Sequence, residues 1–505
     1  MMKPASVQLV LVEFLILITA SPASVAPRFH VLASFNGFNG SQPEATLVQG
    51  RDGNFYGTTY YGGINSGCNV SFVPGCGTVF RATPQGKVTV LYSFCAQPDC
   101  TDGYEPVGAL TLGTDGAFYG TTYSGTDVTF GTIFKITAEG RLKTLHNFCS
   151  SNGCADGSQA IGQLVEGADG NFYGTTTAGG IFNSACPDGC GTIFKVTPEG
   201  TLTTLYSFTG GTDGGSPLGG LVLAADGTLY GTTFQGGAVD SPQCAPQGCG
   251  AIFRITAAGM LTPVASFLGY NGLYPEGAVV QTADGSLYGT TNYGGEGGGA
   301  SGTVFKVSPI GTLKPIYAFC SLYNCADGSN PTAGLTQATD GNLYGTTSGY
   351  NVWGSIPGTV FQVTPAGKLR TLHTFCSLAN CGDGYTAYAG LLQATDGNFY
   401  GTAEGGGTSA NCIGGCGTVF RLSVGLSPFV AFVCSFGRVG QTVQILGQGF
   451  DGATAVSFSG TAASFSVRSD TFLAAAVPAG ATTGFVTVTT PAGQLTSNLP
   501  FRVVP

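Results

Sequence analysis

The chain has 505 residues, of which only 9% are charged and 43% hydrophobic, while 84 are glycine. That length exceeds one ordinary core, and the apolar content excludes a disordered low-complexity chain. A net charge of −9 without any Lys/Arg cluster argues against binding nucleic acid or an anionic membrane surface.

The N-terminus reads as a secretory signal over residues 1–26. Lys3 supplies the positive end, Val7 to Thr19 the apolar run, and Ala20 to Ala26 a small-residue stretch. The run is too short for a membrane-anchoring helix, so an exported protein is expected, secreted or at the cell surface, with no transmembrane span after signal removal.

From there a single phrase organises the chain. Asp169-Gly170-Asn171-Phe172-Tyr173-Gly174-Thr175-Thr176 has near-copies beginning at Asp52, Asp115, Asp226, Asp284, Asp340 and Asp396. A near-constant period of this size is the mark of a repeat architecture. Each unit carries four strand-like pieces; in the first they are Ala45 to Gln49, Phe55 to Tyr60, Gly77 to Ala82 and Lys87 to Phe94. Asp52-Gly53 joins the first two as a hairpin, and Thr83-Pro84-Gln85-Gly86 joins the last two as a Pro/Gly turn. No segment has sustained helical periodicity. Four antiparallel strands written seven times predict an all-β fold, a seven-bladed β-propeller over residues 27–424.

The array is offset by one strand. A fourth-strand motif, Val31 to Phe35, precedes the first hairpin, whereas none follows the last third strand, Gly417 to Phe420. Ring closure explains this: residues 29–35 are expected to complete the last blade and remove an exposed edge.

Strand alternation puts the tight turns at one end of every blade. The long loops, between strands two and three and between successive units, go to the other end. Those loops hold nearly all the cysteines. Pairs follow a fourth strand at Cys95/Cys100, Cys149/Cys154, Cys320/Cys325 and Cys376/Cys381. Others precede a third strand at Cys68/Cys76, Cys186/Cys190, Cys244/Cys249 and Cys412/Cys416. Both members of a pair are present or absent together, as local disulfides require, and export favours oxidation. Zinc held by paired thiolates is the competing reading. Cys434 is left over and is expected to be a buried thiol.

Variable loops on a rigid scaffold are where binding resides. The aromatic residues Tyr61, Tyr104, Tyr274, Tyr293, Tyr350, Trp353 and Tyr385 lie in or beside them, with Tyr60 and Tyr388, and suit stacking on sugars or an adaptable protein contact. The opposing expectation is that most pack beneath their own loops. A base after the third-strand Phe (Arg81, Lys135, Lys195, Arg254, Lys306, Arg421; Gln362 in the sixth copy) is expected to serve each blade structurally, pairing with the hairpin Asp. Asn39, Asp102, Asp156, Asp213, Asn271, Asp327 and Asp383 form a second Asp/Asn-Gly set on the looped end. They are read as turn residues, with a calcium ring as the alternative. No cofactor is otherwise implied. His146 and His373 share a strand slot with Tyr92 and Tyr206 and read as packing variants. No catalytic motif is present, although Glu105, Glu276, Glu296 and Glu404 could meet in space as an acid pair for glycoside cleavage.

The period stops near Ser427, and the alternating short runs of residues 427–505 predict a small immunoglobulin-like β-sandwich. Gly440 to Phe450, Val477-Pro478-Ala479-Gly480 and Gly484 to Val488 resemble the IPT/TIG family, which implies a spacer or interaction module. The repeats, with Asp-Gly-Asn-Phe-Tyr-Gly-Thr-Thr followed by Gly-Thr-Val-Phe-Arg-x-Thr-Pro-x-Gly, resemble the bacterial GloVer tandem repeat of choice-of-anchor proteins. That resemblance implies an exported bacterial protein without a defined activity. Such proteins often end in a sorting tail, an apolar helix with basic residues; the residues before Pro505 show none, so covalent or membrane anchoring does not follow from the resemblance. The function expected is a non-catalytic scaffold that binds a glycan or extracellular protein through the looped face. A carbohydrate-active enzyme on that face, hydrolase or lyase, is the alternative, and a purely structural surface protein the third reading.

Overall fold

The computed structural model describes residues 26–68, 75–125, 130–150, 153–239, 242–295, 301–351 and 354–504. The signal-like segment, Glu296 and Trp353 lie outside the described residues. Within them the fold is all-β and propeller-like, with helix limited to three single turns, Pro98–Cys100, Tyr323–Cys325 and Ala379–Cys381.

Each copy of the repeat forms a four-stranded antiparallel sheet, numbered here 1 to 7 in chain order. Sheet 1 comprises Val48–Gln49, Phe55–Thr59, Thr78–Ala82 and Val88–Ser93. The first strand is shorter than the sequence suggests, because residues 42–47 turn inward toward the neighbouring sheet. In sheet 7 the fourth position is taken by Arg28–Ser34, which pairs antiparallel with Thr418–Ser423 from Arg28↔Ser423 to Ser34↔Thr418. The offset in the sequence is thus the strand that returns from the start of the chain.

The recurring phrase explains itself atom by atom. In sheet 1 the Asp52 carboxylate accepts the Asn54 N–H at 3.1 Å, fixing the turn, and the Tyr56 hydroxyl at 2.9 Å, four residues on. The same Tyr-to-Asp bond recurs at Tyr119–Asp115, Tyr173–Asp169, Tyr344–Asp340 and Tyr400–Asp396. Lys135 and Lys306 add ion pairs to Asp115 and Asp284, and Gln362 donates to Asp340. Glycine follows because the third-strand Phe lies flat on it: a Cβ on Gly401 would meet Phe420 Cζ at 2.5 Å. The second Thr bonds across to the third strand, as in Thr59 Oγ1 to Thr78 Oγ1 at 2.8 Å. The first Thr reaches the next sheet, as Thr346 Oγ1 does to Ala389 O at 2.7 Å.

Ring contacts link successive sheets. Tyr56 stacks on Phe118 at 4.1 Å, Tyr119 on Phe172 at 3.8 Å and Tyr344 on Phe399 at 4.2 Å. Tyr400 of sheet 7 meets Phe55 of sheet 1 at 4.0 Å. Two further bonds cross that same seam, Gly390 N–H to Thr46 Oγ1 at 2.9 Å and Thr395 N–H to Gln49 Oε1 at 3.0 Å. Buried aromatic stacking of this kind contributes roughly 1 kcal/mol per pair beyond the area it removes from water.

The tail forms two further four-stranded antiparallel sheets around one core, including Val443, Ile445, Phe458, Leu473, Val488 and Phe501. It is no free spacer, because it lies on the tight-turn end of the repeat sheets. Thr471 Oγ1 donates to Arg51 O at 2.8 Å, and Phe472 sits under the Arg51 guanidinium at 5.1 Å. Gln444 reaches Thr114 O of sheet 2, Thr395 Oγ1 of sheet 7 donates to Gly447 O, and Arg502 donates to Ala225 O of sheet 4. Leu446 and Phe472 join the apolar cluster of Tyr56, Leu112 and Phe118. Sheets 4 and 7 are three apart in a series of seven, so the tail spans this end from side to side.

Candidate functional site

With the tight-turn end occupied, the looped end is the open one. Its loops are closed by eight disulfides, Cys68–Cys76, Cys95–Cys100, Cys149–Cys154, Cys186–Cys190, Cys244–Cys249, Cys320–Cys325, Cys376–Cys381 and Cys412–Cys416. So many bridges belong to an oxidising, extracellular setting, and among the described residues no helix is long and apolar enough to cross a membrane. Cys434 is free and partly buried, and burial pushes its thiol up to about 11.

The second Asp/Asn-Gly set folds these loops. Asp383 accepts His373 Nε2 at 3.0 Å together with the Ser377 and Leu378 amides. Asp102 accepts the Tyr92 hydroxyl at 2.7 Å, and Asp213 and Asp327 hold Tyr206 and Tyr317 likewise. Tyr and His therefore alternate in one slot as donors to the same carboxylate. Those oxygens are engaged within their own loops, and among the described residues no group of three or more His, Cys, Asp or Glu converges as a metal ion would require.

Inside the loops lies a mouth built from three positions per repeat. The first lies six residues before the inner strand and is held at positive φ in six copies: Gln42, Glu105, Gln159, Ser216, Tyr274 and Asn330, with Thr386 in the seventh. Its carbonyl accepts the amide of the second position, the residue after Gly-Thr-Thr (Gly-Thr-Ala in the seventh copy): Tyr60, Tyr123, Thr177, Phe234, Asn292, Ser348 and Glu404. The third lies two residues past the first: Glu44, Val107, Ile161, Leu218, Glu276, Thr332 and Tyr388. The framework around them hardly varies, while these positions differ from copy to copy.

The variation is patterned. Sheets 7, 1 and 2 bring Glu404, Tyr388, Glu44, Tyr60 and Glu105 into one arc, and sheet 5 adds Glu276. Glu44 is pushed up to about 8, first by burial and then by the charges of Glu404 and Glu105. Burial alone raises Glu404 to about 7. Glu105 and Glu276 are raised too, again mainly by burial, but each has a donor: Ser124 Oγ at 2.9 Å and Asn292 Nδ2 at 2.6 Å. Among the described residues no side-chain donor reaches Glu44 or Glu404. Both keep part of their surface open to solvent. Tyr388, 36% exposed, feels Glu404, Glu44 and Glu276 together.

The aromatic candidates divide. Tyr274 stacks on Phe234 at 4.5 Å and meets the Tyr293 edge at 6.2 Å, so both belong to the mouth and its rim. Tyr385 lies against Gly405 beside Glu404. Tyr61 touches Tyr60 edge-on at 4.4 Å but also packs beneath its loop, and Tyr104 packs with the core between sheets 1 and 2. The Tyr350 backbone pairs in a short hairpin with Ser355; Trp353 lies outside the described residues. Glu44 escapes sequence reasoning. Its one signal is its spacing, because Glu44 follows Gln42-Pro43 as Glu276 follows Tyr274-Pro275.

Charge separates the two ends. Among the described residues every Lys and Arg lies in the tail or in the half of a sheet nearest the tight turns, and the looped end has carboxylates without them. A cleft of about 530 Å³ between sheets 1 and 2 is lined by Arg51, Asp52, Tyr56 and Arg81. There acid and base offset one another and the walls are the hairpin contacts already described, so it belongs to the framework of the tight-turn end.

A family model described as the Gloeobacter/Verrucomicrobia repeat matches residues 19–186, 154–353 and 297–453. No curated protein matches the chain. Among solved structures, a fungal alcohol oxidase in complex with copper is 13% identical with a TM-score of 0.48, over 95% of this chain and 99% of that one. A gluconolactonase from Xanthomonas campestris is 15% identical with a TM-score of 0.37, over 63% and 86%. Kuenenia stuttgartiensis hydrazine synthase is 14% identical with a TM-score of 0.40, over 68% and 79%. At these identities and TM-scores the likenesses bear on no activity.

Proposed function

The chain belongs to the Gloeobacter/Verrucomicrobia repeat family, and from that premise we propose an exported binding scaffold that holds a glycan in the mouth of its looped end. The supporting observation is the contrast between a near-constant framework and three variable positions per repeat, all gathered at one opening with tyrosines and carboxyls. Flat rings with polar tips beside hydrogen-bonding acids suit a polyhydroxyl ligand. We read the seven repeat sheets as the blades of a propeller, closed by Arg28–Ser34, and the tail as an immunoglobulin-like module of the IPT/TIG kind. Secretion or display at the cell surface follows from the signal-like N-terminus and the disulfides.

A glycan array probed with the full chain and with Tyr388→Ala tests the reading. Saturable binding to a defined glycan, lost in the variant, is expected. No binding to any glycan, or binding indifferent to Tyr388, refutes it. A second reading, cleavage of the bound glycan, is favoured by Glu44 and Glu404. Carboxyls raised to about 8 and about 7 stay protonated where a general acid works. Release of reducing ends from an array hit, abolished in Glu404→Gln, distinguishes it.

A further inference from the structure

We propose that the mouth selects a cationic ligand and, resting on the glycan reading above, that the glycan carries free, protonated amino groups. Three observations converge on it.

The first is the complete sorting of charge. Lys and Arg are kept from the looped end among the described residues, yet Glu44, Glu105, Glu276 and Glu404 are assembled there. A one-signed field in a partly enclosed mouth draws ligands of opposite charge and sets their orientation. The carboxyls come from four sheets, with no cation of the chain between them among the described residues. Burial, with mutual repulsion at Glu44, keeps Glu44 and Glu404 protonated in the empty protein, and a bound ammonium group lets them ionise.

The second is a buried acceptor that lacks a donor. Asn330, only 2% exposed, donates through Nδ2 to both Asn292 O and Asn292 Oδ1 at 3.0 Å, so its own Oδ1 is the acceptor end, and that oxygen meets no donor. Asn292 in turn donates to Glu276 at 2.6 Å. A carbonyl buried to that degree is normally satisfied. Asn330 lies one hydrogen bond from Asn292, the partner of Glu276, so a ligand N–H drawn to that acid is the nearest donor the chain does not itself supply.

The third concerns size. The acids are spread round the opening, and among the described residues no three of them converge on one point as a metal ion demands. Tyr388 and Tyr60 stand between them, and phenol faces attract ammonium groups as well as sugar rings. Separated carboxyls with aromatic rings between them match a chain of amino sugars, whose charges recur along a carbohydrate backbone.

The test compares a fully deacetylated glucosamine oligosaccharide with its N-acetylated counterpart of equal length. Binding to the full chain is measured by calorimetry at about pH 6 and at two salt concentrations. The free-amine form is expected to bind at least tenfold more tightly. That preference should shrink severalfold in the Glu44→Gln/Glu404→Gln variant and fall with added salt, while Tyr388→Ala weakens both ligands. Equal or tighter binding of the N-acetylated form overturns the proposal and leaves the glycan reading standing. Binding of neither, with neutral glycans captured on the array, has the same meaning. Silence towards every glycan sinks the reading and the proposal together. Equal binding of a lysine oligopeptide of matched charge overturns the sugar half of the proposal. The Gln variants keep size but cannot ionise beside an ammonium group, and an unchanged circular dichroism spectrum separates lost preference from lost fold.

Discussion

If Glu44 is held protonated by its surroundings, its replacement by Gln should leave the protein unchanged in acid and make it more stable in base. The folded carboxyl is raised from 4.5 to about 8 while the unfolded one keeps its ordinary value. The folded state therefore binds the proton more tightly. The stability this supplies is full below about pH 4.5, falls steadily as pH rises, and is gone above about pH 8. At about 1.4 kcal/mol per pH unit the full shift amounts to roughly 5 kcal/mol. Glu44 keeps some contact with water, and screening reduces the expected effect to about 2–3 kcal/mol. Urea unfolding of the full chain, disulfides intact, is to be followed at about pH 4, 6.5 and 9. The gap between Glu44→Gln and wild type should be near zero at the first and open to its full size at the last. Part of the shift comes from Glu404, so the double variant with Glu404→Gln should gain less than the sum of the singles. A gap that stays constant with pH, or strict additivity, would refute the argument that these carboxyls share one enclosed mouth.

Three other outcomes test the framework. Burial depresses His373 against the pull of Asp383; the stability it supplies is present above about pH 6.5 and lost as pH falls through its folded value. His373→Tyr, the residue of this slot in sheets 1, 3 and 5, should flatten the melting temperature on the acid side. Gly401→Ala should cost about 1–3 kcal/mol in urea unfolding, because Phe420 and Leu391 leave no room for a Cβ. Phe472→Ala, which removes the ring beneath Arg51, should cost about 2–3 kcal/mol of tail docking. Limited proteolysis between residues 424 and 430 should quicken while glycan binding at the opposite end is unchanged.

What the sequence disclosed was whatever is local or repeated. The Asp-Gly turns, the four strands and the cysteine pairs each lie within a few residues, and repetition averaged away the noise. The returning strand was legible only because a seventh copy was missing where it should have stood and present where it should not. The turn Asp proved to have a second task, accepting Tyr four residues on. That contact depends on the twist of the hairpin, which no spacing rule expresses. The mouth was harder still. Glu44 and Glu404 lie in the first and last copies and meet only because the series closes, so neither could be paired from a linear reading. Aromatic content drew attention to Tyr61 and Tyr104, which the structure packs largely beneath their loops. The Tyr388 ring, by contrast, stands in the opening.

The docked tail changes how the mouth must be understood. A ring of sheets presents two ends, and a ligand could in principle approach either. Contacts from Arg51 in sheet 1 to Ala225 in sheet 4 carry the tail across one of them, and the chain's basic residues gather at that same end. Placing bases near the tail and acids near the loops orients the molecule electrically along its axis, and on the reading proposed above a cation meets attraction from one direction only. The low total of charged residues sharpens this: with 9% of the chain charged, few ions blur the contrast between the two ends. The repeat supplies a rigid frame in which Gly, Thr and Asp must stay as they are, and leaves three places per unit free to vary. On the glycan reading proposed above, selectivity resides in those places, and exchanging Glu44 and Glu404 for Gln should alter the ligand while leaving the unfolding curve in acid where it was.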